Sequence, residues 1–177
     1  MGFIKLNKKD RRRARETVWL DPCLELHDTP DSMSDYCVSK LKGMGVRIDT
    51  KPDVGSAISK MTTSYQNVLR LSANFEGLHP MYQAAILAHE LVHYRQRQDY
   101  GRHTFNAKYI FSPRWRMSVE IPAYREEVRA LKILGLSRDR LKAHISRIPK
   151  SLKKYKIGVL DFQSLGRLTI NTLEKEL

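Results

Sequence analysis

Disulfide bonding offers this chain little. It has two cysteines, Cys23 and Cys37, among 177 residues. That excludes a disulfide scaffold, and with no Cys-x-x-Cys pair there is no thiolate metal site to read either. Long apolar runs are missing too. None approaches the ~20 residues that cross a bilayer. Residues 1–10 lack the apolar centre of a secretory signal, and Asn7 stands where a myristoylation signal after Gly2 places Ser or Thr. Acidic residues are scarce: 19 Asp and Glu face 32 Lys and Arg, a formal net charge of +13. The excess is blocked into residues 8–15 and residues 138–156. Such surfaces attract phosphates, anionic lipids or acidic proteins. No helix-turn-helix or zinc-finger pattern accompanies them, so an acidic partner and a nucleic acid both stay open. There is no internal repeat or low-complexity tract. The length and a hydrophobic share of 41% fit one domain over residues 1–177. Within it, residues 1–20 form a basic N-terminal segment and residues 137–177 supply C-terminal helices.

What the chain does have is His89-Glu90-Leu91-Val92-His93. On a helix, histidines four residues apart stand one above the other on a single face. Two imidazoles so placed can hold one Zn²⁺, and the glutamate between them projects ~100° away, where it can take a proton from water. The surroundings predict a helix over residues 80–99. Pro80 suits a first turn, residues 81–88 contain no Gly or Pro, and Gly101 suits a C-terminus. Ala85, Val92, His93 and Gln96 share the face of His89, while Leu87, Leu91 and Tyr94 lie opposite. A helix apolar on both sides is covered on both sides.

A catalytic zinc usually has three protein ligands. Asp99 and His103 follow the motif closely. Asp99 stays on the same helix and is carried around it, and His103 has to fold back over Gly101. A stronger candidate is Glu120. Residues 118–131 have helical periodicity, with Glu120, Ala123, Tyr124, Glu127, Ala130 and Leu131 on one stripe. Inward carboxylates at Glu120 and Glu127 need partners. Glu120 suits a ligand and Glu127 a group that orients a ligand histidine, whereas Glu126 points outward with Arg125 and Arg129. Pro122 places the start of this helix nearby, which also allows Glu120 a plain helix-terminal role.

His89-Glu90-Leu91-Val92-His93, followed by Glu120 and Ala123-Tyr124, resembles the gluzincin class of zinc metallopeptidases. The resemblance covers roughly residues 65–131. It implies one Zn²⁺ held by His89, His93 and Glu120, peptide-bond hydrolysis by a metal-activated water, and Glu90 as general base on a peptide or protein substrate. Tyr124, one turn beyond Glu120, is the candidate oxyanion donor. Residues 45–49 and 67–72 read as strands. In the resembled class, the strand before the motif helix forms a sheet edge on which a peptide lies.

The fold expected is therefore α+β and zincin-like. A small sheet packs on the motif helix, the Glu120 helix covers its other side, and the C-terminal half is mostly helical. One helix starts after Ser137 and is closed by Pro149, with His144 as a surface or packing residue. A last amphipathic helix spans residues 161–177. Two rival readings keep the metal site but not the turnover: a zinc-binding structural or adaptor protein, and a nucleic-acid-associated basic protein. A small basic peptidase without a signal fits a cytoplasmic setting, bacterial or phage-associated.

Overall fold

The computed structural model describes residues 19–49, 67–71, 74–153, 171 and 173. The basic block at residues 8–15 lies outside them, as does the proposed last helix apart from Asn171 and Leu173, both helical. Among the described residues the chain forms a 3₁₀ turn, five helices and a two-stranded sheet. After the turn at Pro22–Leu26 come helix α1 (Pro30–Gly43), strands β1 (Arg47–Asp49) and β2 (Val68–Arg70), and helix α2 (Pro80–Tyr100). Helices α3 (Arg102–Phe111), α4 (Pro113–Ile133) and α5 (Arg138–Lys153) follow.

The motif helix α2 begins at Pro80, with the His79 side chain accepting from Met81 N, and ends at Gly101 with φ 76°. Its middle is buried all the way round, from Leu87 through Tyr94. The two layers that bury it are both helical. On one side α4 packs along it, and on the other α1 does so through Met33, Cys37 and Leu41. The sheet was expected in the place that α1 takes. It is a short parallel pair, Arg47 opposite Val68 and Asp49 opposite Arg70. It adds Val46, Leu69 and Leu71 to the same core, but two three-residue strands are too narrow to cover a helix of six turns. The α+β expectation therefore holds only coarsely, and the described residues are mostly helical.

Two helices run through prolines that had suggested ends. Helix α4 starts at Pro113, where proline is tolerated in the first turn, and continues past Pro122. Helix α5 continues past Pro149 to Lys153. An interior proline forfeits one backbone hydrogen bond, a cost that tertiary packing of the same helix outweighs. In α4 that packing is extensive: Val119, Ala123, Val128, Ala130 and Leu131 are all buried. Helix α5 buries Leu141, Ile145 and Ile148 and turns Arg138, Arg140, Lys142 and Arg147 to solvent. Leu173 joins the same core.

A polar knot ties the N-terminal turn to three helices. Asp21 is buried and accepts from Tyr36 Oη of α1 at 2.7 Å, from Cys23 N at 3.0 Å and from the Arg95 guanidinium of α2. Its backbone N donates to Glu126 Oε1 of α4 at 2.7 Å, and its carbonyl accepts from Arg129 Nη1 at 2.8 Å. Glu126 was expected to point outward. It is 1% exposed, because the Asp21 turn covers the flank of α4 that α2 leaves open. Burial opposes the Asp21 charge, yet Tyr36, Cys23 N and Arg95 hold its pKa below the ordinary 3.8. A depressed carboxylate stabilises the fold above its unfolded pKa and loses that contribution as pH falls through the folded value. Asp21→Asn is expected to cost about 1–3 kcal/mol near neutral pH, since it removes the charge that holds the Tyr36 and Arg95 hydrogen bonds. The gap to wild type should close in acid, below pH 3.8. Denaturant melts of both proteins at neutral and acid pH check it.

Candidate metal centre

Three donor atoms converge between α2 and α4. His89 and His93 come from successive turns of α2, and Glu120 comes from the facing turn of α4. His89 Nε2 and His93 Nε2 lie 3.1 Å apart, and Glu120 Oε2 stands 3.6 Å from the first and 3.5 Å from the second. All three residues are buried. A tetrahedral ion with bonds of ~2.0–2.1 Å sets its donor atoms about 3.3–3.4 Å apart. The observed triangle has that size, so the group could hold one metal ion.

The protonation pattern supports the same reading. Gln96 Nε2 donates to the Val119 carbonyl at 2.9 Å, which turns Gln96 Oε1 toward His93 Nδ1 at 3.0 Å. An oxygen there must accept, so His93 carries its hydrogen on Nδ1 and leaves Nε2 with a lone pair. His89 Nδ1 lies 2.9 Å from Glu127 Oε2, a charge contact off the ideal hydrogen-bond angle, and it too places the hydrogen on Nδ1. Two lone pairs facing each other at 3.1 Å repel unless a cation sits between them. Without a metal, a proton takes that part. Burial disfavours a charge on His89, but Glu127, Glu120 and Glu90 outweigh it and raise its pKa to about 9. Burial likewise opposes the carboxylates. His93 and then His89 and Tyr109 pull Glu120 down to about 2, while His144 and His89 pull Glu127 down to about 2.

Side chains around the triangle fix its members. Glu127 uses its second oxygen on His144 Nε2 of α5, at 2.8 Å, so one carboxylate spans two histidines. Tyr109 Oη of α3 donates to Glu120 Oε1, leaving Oε2 for the centre. Helix α3 is held there by aromatic packing. Phe105 is fully buried, with its ring 5.0 Å from that of Trp115 and 5.8 Å from that of Tyr109. Arg116 donates to the Tyr109 and Ile110 carbonyls at 2.6 and 2.9 Å, satisfying the C-terminal end of α3. The Tyr124 ring stands edge-on to His89, centroids 4.6 Å apart.

Of the residues singled out by sequence, His89, His93 and Glu120 meet at one point, Glu127 stands behind His89, and Tyr124 lies against the His89 ring. Glu90 is buried on the neighbouring stripe of α2 and is not one of the three donors. Asp99 accepts from the Trp19 indole, and His103 sits on α3; neither joins the group. Sequence reasoning did not assign Tyr109 or give Gln96 and His144 a role at the site. Gln96 had a signal, since it shares the His89 face one turn after His93. Tyr109 had none, because its place depends on how α3 docks.

The chain matches no protein-family model, no curated protein and no solved structure.

Proposed function

We propose that this chain is a zinc-dependent peptidase. The observation that carries the reading is a buried carboxylate, Glu90, on the same helical turn as two metal donors and not consumed as a donor itself. His89, His93 and Glu120 would hold the ion, and a two-nitrogen, one-oxygen donor set suits Zn²⁺. Zinc bound there supplies Lewis acidity, bringing the pKa of water toward ~7 and polarising a carbonyl. Glu90 accepts the proton of the attacking water on a carboxylate oxygen and passes it to the leaving amine. Glu127 keeps the His89 hydrogen on Nδ1, and Gln96 does the same for His93, so both rings offer Nε2. Tyr124, whose ring stands against that of His89, is the proposed donor to a developing oxyanion.

A second reading rests on depth. His93 and Glu120 are each 2% exposed and Tyr109 closes over Glu120, as suits a structural zinc with no turnover. One experiment separates the two. The purified full chain should carry one zinc, cleave a quenched-fluorescent peptide library, lose cleavage to a chelator and regain it with added Zn²⁺. One tightly held zinc with no cleavage of any peptide would leave the structural reading in its place.

A further inference from the structure

Away from the metal triangle, the Glu90 stripe of α2 continues through Tyr94 and Arg97 to a cavity of about 310 Å³. Arg97 lines it and is 5% exposed, yet none of its three guanidinium nitrogens has a hydrogen-bond partner. Its guanidinium lies over the Tyr94 ring, 4.9 Å from the centroid, and the buried Tyr94 hydroxyl is also without a hydrogen-bond partner. The Glu90 charge on the same stripe acts on this cation, but a buried guanidinium whose nitrogens make no hydrogen bond is costly and rare. The other walls are mixed: Met44 is apolar and Gly101 closes the C-terminus of α2, while two groups suit an anion. Arg102 contributes a second guanidinium and Gln98 an amide, whereas the Asn67 amide nitrogen is already used on the Met44 and Gly45 carbonyls. Gly101 and Arg102, also in the wall, form the N-terminus of the ten-residue helix α3, and Gly101 brings no capping side chain. The first N–H groups of a helix have no acceptor within it and carry the positive end of its dipole.

We propose that this cavity binds a peptide carboxylate, with the Arg97 fork on its two oxygens and the α3 N-terminus beside it. A monoanion matches the one buried cation that lines the cavity, and a planar carboxylate matches the guanidinium fork. The peptide part of the assignment rests on the peptidase reading. Arg97 stands two turns beyond Glu90 on one stripe, a rise of about 10.5 Å. An extended peptide advances about 3.3 Å per residue. Measured along the helix axis, that separation equals about three extended residues, although the α2 stripe between Glu90 and Arg97 is buried. The carboxylate comes either from a substrate C-terminus or from an acidic side chain at that distance.

Equilibrium binding to the full chain tests this, with and without Zn²⁺. The probes are an N-acetylated tripeptide with a free C-terminus, its C-terminal amide, the same amide carrying one Glu side chain, and inorganic phosphate. At least one carboxylate peptide should bind about tenfold or more tightly than the plain amide, and which one does so identifies the source. Arg97→Gln should erase that preference, Arg97→Lys should keep part of it, and the exposed Arg140→Gln should keep all of it. Because the Arg97 nitrogens make no hydrogen bond in the free chain, the melting temperature of Arg97→Gln without ligand should not fall below that of wild type. The proposal is overturned if carboxylate and amide bind alike, if phosphate alone binds, or if the preference survives Arg97→Gln. It is overturned equally if Arg97→Gln melts lower than wild type and no carboxylate raises the wild-type melt. Selective binding by a chain that cleaves no peptide would sink the peptidase reading and leave the carboxylate site standing.

Discussion

On the peptidase proposal, Glu90→Gln should keep zinc and lose catalysis. The substitution preserves shape, so the interior of α2 stays packed, and Glu90 is not among the three donors that meet between α2 and α4. Only the ability to accept a proton is removed. General-base catalysis contributes about 10²–10⁴-fold, and the rate of peptide cleavage should fall by at least that range. Zinc per chain should be the same as in wild type, and so should the far-ultraviolet circular dichroism. The comparison is informative because the two readouts separate. A variant that loses zinc and activity together assigns Glu90 to metal binding or to folding. A variant that keeps full activity removes Glu90 from the mechanism and the peptidase proposal with it.

Much of the candidate metal centre was legible because it is local. His89, Glu90 and His93 are set by helical spacing, and Pro80 and Gly101 mark the ends of their helix. Glu120 and Glu127 were found by the stripe they share with Ala123, Ala130 and Leu131. What failed to show was set at long range. Glu126 has a helical angle that faces away from α2, and its burial depends on a backbone N–H from Asp21, far off in sequence. Pro122 and Pro149 carry real local signals for an end, and tertiary packing overrides both. Helix α1 had its own start signals: Thr29 caps it, Pro30 opens it and Asp31 sits in its first turn. Its apolar stripe of Met33, Cys37 and Leu41 is narrow, and it went unread. The sheet was read from two alternating segments, correctly in kind. Its role was overestimated, because strand pattern says nothing of how many strands assemble.

The remaining large effect concerns Glu120, because it decides whether two helices or one make the metal site. Three acids on α4 have three different surroundings, and each predicts a different variant. Glu120→Ala removes the one donor that α4 supplies and leaves His89 and His93 with the ion. Zinc affinity should fall by far more than for any other acid of this helix. Glu127→Ala keeps all three donors but frees His89 to rotate and to move its hydrogen. Such orienting partners are worth about 10–100-fold in metal affinity, so this variant should fall in between. Glu126→Ala should leave zinc affinity at the wild-type value. Its effect appears instead in stability, because the Asp21 N–H at 2.7 Å loses its acceptor in a buried place. A buried donor left unsatisfied costs about 1–3 kcal/mol. Competition titrations against a chromophoric chelator give the three affinities, and denaturant melts give the stabilities. The order Glu120, Glu127, Glu126 in zinc loss, with Glu126→Ala weakened in folding, is the signature of a site shared between α2 and α4. If Glu120→Ala binds zinc like wild type while Asp99→Ala or His103→Ala does not, the ion is held by α2 and the chain just beyond it. The facing carboxylate, and the resemblance built on it, then fall away.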